Sequence, residues 1–438
     1  MKTKLHFTLF LFSLFFLNYS FSQTQIGIDI DGEAAWVQSG NSVSLSTDGS
    51  RMAIGASKNN ENGGNTGHVR IYEFDGASWS QLGADIDGES SGDRSGSTVS
   101  LSANGSRVAI GAPENDDNGG SSGHVRIYEY DGSLWSQLGT DIDGEAEFDQ
   151  SGRSVSLNSD GSIVAIGANG NDENGNFSGH VRVYNYDGTS WSQLGTDIDG
   201  EATGDISGWS VSLNDNGTII AIGAPDNDDN GNYSGHVRVY EYNGASWSQI
   251  GGDIDGEGQS DNSGISVSLN ANGTIIAIGA HLNNGNGTDS GHVRIYEFNG
   301  MDWSQIGNDI DGEAEDDLSG SAVSLSADGS RIAIGAEFNI GNGTNSGHVR
   351  VYDLSGLLST SDVETSLIYI GPNPMKEGLL IHLKDGNHIK TVNISDITGK
   401  LILTSTNTSI STSHLESGLY LVKITTDKGS FIKKLIKN

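Results

Sequence analysis

Apolar and polar residues alternate along most of this chain in short runs, cut by glycine, asparagine and aspartate. Residues 85–140 show the unit. Thr98-Val-Ser-Leu-Ser102 alternates with period two and predicts a strand. Ala103-Asn-Gly105 follows, and Asn-Gly accepts the positive φ of a tight hairpin. Arg107-Val-Ala-Ile-Gly-Ala112 predicts a second strand, His124-Val-Arg-Ile-Tyr-Glu-Tyr130 a third and Trp135-Ser-Gln-Leu-Gly139 a fourth. A loop rich in Asn, Asp and Gly joins the second to the third, from Glu114 to Gly123. Asp-Ile-Asp-Gly-Glu at 85–89, with the polar run to Ser95-Gly96, predicts another long loop. No apolar residues recur at the 3.6 spacing of a helix.

The unit recurs. Gly-His-Val starts at Gly67, Gly123, Gly179, Gly235, Gly291 and Gly347, always 56 residues on. Asp-Ile-Asp-Gly-Glu starts at Asp29, Asp85, Asp141, Asp197, Asp253 and Asp309 with the same step. A unit of this size cannot bury its own apolar face and must stack on copies of itself. Four antiparallel strands written six times predict an all-β chain, a six-bladed β-propeller over residues 23–354. A β-solenoid is the alternative; its coils are shorter and lack internal Asp-Gly hairpins. Thr24-Gln-Ile-Gly-Ile-Asp-Ile30 echoes the outer strand Ser80-Gln-Leu-Gly-Ala-Asp-Ile86, and no Trp-Ser-Gln follows Ser355-Gly356. The N-terminal strand is therefore expected to complete blade six and close the ring, which removes exposed edges.

Beyond a Ser/Thr-rich linker at 355–366 the rhythm changes. Leu379–Leu383, Thr391–Ser395, Lys400–Leu403, Leu419–Ile424 and Phe431–Ile436 predict a small β-sandwich over 367–438. Residues 1–22 predict a secretory signal: Lys2 and Lys4, an apolar Leu5–Leu17, and Ser20-Phe-Ser22 before the cut. No later stretch is long and apolar enough to form a spanning helix. With no cysteine, disulfides and thiolate metal sites are excluded. The formal charge of −34 excludes nucleic acid and argues against anionic membranes as partners.

The pattern Ser-Gly-x-Ser-Val-Ser-Leu, Asp/Asn-Gly, Ala-Ile-Gly-Ala and Gly-His-Val-Arg-Ile-Tyr resembles the FG-GAP repeats of integrin-alpha-type propellers, from residue 24 to about 354. Ser-Gly stands where that family has Phe-Gly. The family's calcium loop is reduced to turns such as Ser46-Thr-Asp-Gly49, so that metal site does not carry over. The C-terminal domain is similar to the type A sorting domains of the type IX secretion system of Bacteroidota. Its matching residues include Pro372-Asn-Pro374 with Asn373, Gly399-Lys400, Gly418-Leu-Tyr420 and Lys433-Lys434. The resemblance implies the type IX machinery as partner, passage through the periplasm and outer membrane, and removal of the domain on export.

Function is expected where the repeats differ. Blades three and four place Phe148, Arg153, Phe177, Trp209 and Tyr233 in or beside the long loops, which share one acidic face. Aromatics with a guanidinium suit stacking on sugars or gripping a peptide. The aligned His68, His124, His180, His236, His292 and His348 open a strand far from the axis and are expected to pack between blades. At the junctions Asp85, Asp87, Glu89 and Asp93, and likewise Asp141, Asp143, Glu145 and Asp149, offer hard oxygens to calcium. There is no Gly-x-Ser-x-Gly elbow and no His-Glu-x-x-His. The expected function is a secreted or surface-displayed, non-catalytic adhesion module for an extracellular protein or glycan. A polysaccharide-degrading enzyme and a passive surface coat are the alternatives.

Overall fold

The computed structural model describes residues 25–60, 63–341, 343–357, 368–371, 378–383, 388–396, 400–426 and 430–437. The signal segment, most of the linker, Pro372, Asn373, Pro374 and Gly399 lie outside them. No described residue is helical.

Repeats one to five each fold as an antiparallel sheet in which the expected strands pair in sequence order. In repeat two these are Thr98–Leu101, Arg107–Ala112, His124–Tyr130 and Trp135–Gln137. One expectation is corrected. Asp-Ile-Asp-Gly-Glu is not all loop, because Ile142–Asp143 returns to the edge of the third strand and pairs with His124 and Val125. The outer strand is thus one strand with a bulge at 138–141. Gly139 holds that bulge at φ 80°, where a Cβ would stand 2.8 Å from Trp191 of the next repeat. The alternation Asp-Ile-Asp serves this pairing: Ile142 is buried, and its flanking aspartates are not.

Neighbouring sheets pack face to face. Ala109, Val125, Ile127 and Ile142 of repeat two meet Val155, Leu157, Val164 and Ile166 of repeat three. Polar bonds fix the same junction: Leu157 N–H donates to Ser100 Oγ (2.9 Å), Arg182 Nη2 to Asp143 O (2.7 Å) and Trp191 Nε1 to Leu138 O (2.7 Å). Backbones approach so closely that a Cβ on Gly111 would lie 2.2 Å from Gly152 O. The Leu-to-Ser bond recurs at the other four junctions between consecutive repeats.

The sixth repeat departs from this pattern. Its sheet has three strands, Ser319–Leu325, Arg331–Ala336 and His348–Asp353. Val349 and Val351 are 68% and 67% exposed, whereas the equivalent Val125 and Ile127 are 0% and 1%. Val43 and Leu45 of repeat one are also open, at 61% and 57%. The expected pairing of the N-terminal segment with blade six is not made among the described residues. That segment instead lies against repeat one, where Ile26 O accepts from Trp79 Nε1 (3.0 Å) and Asp31 O from Arg70 Nη2 (2.9 Å). Trp135 and Arg126 make the same two bonds to Leu82 O and Asp87 O. The segment therefore holds the place of a preceding outer strand, but only one of its two neighbours is in contact. In the sixth repeat Leu357 reaches Gly307 of the fifth, at the place other repeats fill with tryptophan.

The C-terminal domain is a sandwich of two sheets. Ile368–Gly371, Gly378–Leu383 and Ser409–Ser411 form one; Leu401–Ser405, Ile389–Asp396, Gly418–Thr426 and Ser430–Lys437 form the other. Leu379, Ile381 and Ile410 of the first pack on Val392, Ile394, Val422, Ile424 and Leu435 of the second. Tyr420 is buried there, and its hydroxyl donates to Glu416 O (2.8 Å). Lys400 N–H donates to Asp396 Oδ1 (3.0 Å), and Gly418 opens the strand Gly418–Thr426.

Candidate functional site

The two long loops of successive units hydrogen-bond to each other and so build one face. Gln150 N–H donates to Ser121 O (3.1 Å), Ile206 N–H to Phe177 O (3.0 Å) and Asn262 N–H to Tyr233 O (3.1 Å). This face carries the expected aromatics. Phe148, Phe177 and Tyr233 are 58%, 47% and 48% exposed. All three sit at positive φ: 70°, 54° and 55°. Bulky side chains rarely adopt that conformation, and holding one there costs roughly 1–3 kcal/mol. Other repeats put Gly92, Gly204, Ser121 or Asn345 at these places. Trp36, in the first repeat, shares the position of Phe148 and is the most exposed of the set.

Arg153 and Trp209 meet at the inner end of the same face. The guanidinium carbon lies 3.8 Å from the indole ring centre, a stacked cation–π contact. Burial lowers the Arg153 pKa, which leaves it a cation in the ordinary pH range. Trp209 lines an axial recess of 840 Å³ with Asn41, Ile265, His281 and Ser321. The structure thus pairs Arg153 with Trp209 and spreads Phe148, Phe177 and Tyr233 over neighbouring junctions.

The carboxylates divide differently from the expected calcium sets. Asp93 and Asp149 are buried, and their Oδ2 atoms accept from the backbone of Ser90 and Ala146 (both 2.9 Å). They cap their own loop. Desolvation raises the Asp149 pKa against those bonds. Asp87 and Asp143 belong to outer strands, and Asp143 is likewise raised by burial first. Asp85 faces His68 of its own repeat, whereas Glu89 faces His124 of the next. Asp141 also turns to His124, while Glu145 pairs with Arg182 (3.4 Å). Residues adjacent in sequence therefore serve two different junctions.

The aligned histidines do pack between repeats: His124, His180 and His236 are about 1% exposed or less. Their Nδ1 atoms, however, have no hydrogen-bond partner. Burial holds the His180 and His236 pKa values down to about 4, with Arg182 and Arg238 as second causes. Sequence reasoning did not single out Asp117, Glu173 and Asp229, which bring a further carboxylate from the other long loop toward these histidines. Their common place in the repeat was visible, but not that the loop folds back over the strand end.

Comparison with known proteins bears on both parts of the chain. Residues 368–438 match the secretion system C-terminal sorting domain, and residues 196–240 match the FG-GAP repeat. No curated protein matches. Among solved structures, hydrazine synthase from Kuenenia stuttgartiensis is 11% identical with a TM-score of 0.38, covering 74% of this chain and 99% of that one. A Bacteroides uniformis protein described as a candidate 6-phosphogluconolactonase is 12% identical with a TM-score of 0.45, covering 85% of each chain. At those scores neither likeness carries an argument about function. The sorting domain does: it indicates export through the type IX machinery to the cell surface or the extracellular space, of a chain that carries an FG-GAP repeat at 196–240.

Proposed function

We propose that the repeat region is a non-catalytic binding module that grips an extracellular protein or glycan with the loop face of repeats three and four. The observation that carries this reading is the backbone cost accepted at Phe148, Phe177 and Tyr233, three exposed aromatics at positive φ. Drift in solvent-exposed loops would favour the small or polar residues that most other repeats use there. A passive coat has no need of such residues. An enzyme needs one asymmetric acid–base pair, whereas these carboxylates recur from repeat to repeat. The stacked Arg153–Trp209 pair adds a flat, cationic floor. We further propose a six-bladed ring, closed when residues 25–31 pair with His348–Asp353. Support comes from the missing outer strand of repeat six and the matching open faces of Val43, Leu45, Val349 and Val351.

The test is a glycan array and a pull-down from extracellular medium with the mature chain, followed by Phe177→Ala with Tyr233→Ala. Binding is expected to fall at least tenfold while the melting curve stays put, because exposed substitutions rarely cost more than about 0.5 kcal/mol. Unchanged affinity in the double variant returns the loops to drift.

A further inference from the structure

Repeats two, three and four each gather four donors of mixed chemistry at the end of the third strand. The sets are Glu89, Asp117, His124 and Asp141; Glu173, His180, Asp197 and Asp199; and Glu201, Asp229, His236 and Asp253. Within each set the donor atoms lie within 4.8 Å of one another. We infer that each set holds a first-row divalent transition ion, bound by one imidazole nitrogen and carboxylate oxygens.

The acidic clusters alone would not support this, since a solvated acidic surface looks similar. The histidines decide it. His124 is 1% exposed, and its Nδ1 makes no hydrogen bond. It points at Asp141 Oδ2 (3.8 Å) and Glu89 Oε2 (4.0 Å). These gaps are too long for hydrogen bonds. Two ligands each ~2.0–2.1 Å from a tetrahedral zinc stand about 3.3 Å apart, so a contraction of about half an ångström seats an ion. In the other two sets, His180 Nδ1 lies 3.8 Å from Asp197 Oδ2, and His236 Nδ1 lies 3.9 Å from Glu201 Oε2.

The carboxylates are held for the task. Asp141 Oδ1 accepts from Gln137 Nε2, which leaves Oδ2 turned to the imidazole. Glu89 places Oε1 beside Arg126 Nη1 (3.5 Å) and Oε2 toward His124. One oxygen of each is tied by the protein and one is offered, the outer-shell arrangement that orients metal ligands. An ion pair with a charged imidazolium is the competing account; there His124 Nδ1 would donate directly to a carboxylate, whereas both gaps exceed hydrogen-bond length. Donor type selects the metal: calcium takes six to eight oxygens, whereas imidazole with carboxylates suits zinc and its first-row neighbours. Repeat five has Gly285 where repeat two has Asp117, leaving only Glu257, His292 and Asp309. Repeat five should therefore bind more weakly than repeats two to four. The ion would tie three segments of a junction together, with Glu89 coming from the loop before the repeat, His124 from its third strand and Asp141 from its outer strand.

The experiment uses the mature chain stripped with chelator, then titrated with ZnCl2, MnCl2 or CaCl2 at fixed ionic strength. Bound metal is counted by mass spectrometry after equilibrium dialysis. At least three zinc ions per chain are expected to bind, one for each four-donor set, and to survive a hundredfold excess of calcium. His124→Gln should remove one of them, and the triple variant with His180→Gln and His236→Gln all three. Asp117→Asn changes an exposed loop residue, so it should weaken one site tenfold or more in a protein that folds normally. Co2+ in place of zinc should show d–d absorption that His124→Gln diminishes. Zinc binding that calcium abolishes, or three ions retained by the triple variant, overturns the inference. So does an affinity unchanged by Asp117→Asn.

Discussion

The junction between repeats two and three and the gap between repeats six and one are built from the same positions of the same unit. At the first, Val125 and Ile127 disappear under Val155 and Leu157. At the second, Val349, Val351, Val43 and Leu45 remain exposed. The apolar surface is equivalent, so hydrophobicity alone does not separate the two. The difference is covalent order. Repeat two has its outer strand next in sequence, already paired to the third strand when repeat three arrives. In the proposed ring, repeat six recruits that strand from the opposite end of the chain. It has also lost supporting residues: Ala322 stands where Ser154 donates to Gly208 O, and the tryptophan place is taken by Leu357.

The comparison can be broken first by charge. Val125→Asp buries an unpaired carboxylate at a packed junction and should cost more than about 4 kcal/mol, read by urea denaturation. Val349→Asp should cost more than about 2 kcal/mol once the proposed closure buries it. A change within about 0.5 kcal/mol would leave this junction open in solution.

Removing residues 24–31 is the next step down. It withdraws the segment that Trp79 and Arg70 hold and that repeat six needs. Broadened, non-cooperative melting and aggregation through the bare edge of His348–Asp353 are expected in calorimetry and light scattering. Melting like the intact chain would show that the segment closes nothing.

Tryptophan truncation is milder and graded. Trp135→Ala should cost about 3 kcal/mol, the low end for a large aromatic packed in a core. Trp79→Ala, whose partner segment is more exposed, should cost about half as much. Equal losses would mean that the N-terminal segment is held as firmly as an internal outer strand.

The smallest effect concerns acid. His281 lines the axial recess beside Asn41 and His348, and burial lowers its pKa. Below pH ~6.5 the unfolded chain takes up a proton that the folded chain refuses, so stability falls with pH through that window and levels once the folded group also titrates. His281→Gln should flatten part of that slope. An unaltered pH profile would show the recess to be wetter than its lining implies.

The period, the strands and their order were legible because two markers keep one register over six copies. Five of the seven described sandwich strands were legible from alternation, and Ile368–Gly371 and Ser409–Ser411 were not. Three further things were not. Ile86 and Ile142 pair as outer strand, yet their surroundings have the composition of a loop. Asp93 and Asp149 were grouped with their sequence neighbours, although burial turns them into caps. The donors around His124 come from separate stretches, brought together by the return of a loop over a strand end. Composition shows which atoms exist, while convergence of distant segments depends on packing.

The recurring bond from a leucine N–H to a serine Oγ spans 57 residues, as from Leu157 to Ser100. Its counterpart at the gap would run from Leu45 to Ser324, a separation of 324 − 45 = 279 residues. For a flexible chain the added entropy of the longer loop is (3/2)RT ln(279/57), about 1.4 kcal/mol. That is small beside the burial of four aliphatic side chains, at roughly 1.5–3 kcal/mol each. In the proposed ring the final joint is therefore cheap at equilibrium and late in time. Five contacts form as the arc grows from its own sequence, and the sixth waits until both ends are present. A ring closed this way has one preferred place to part under load, between repeats six and one.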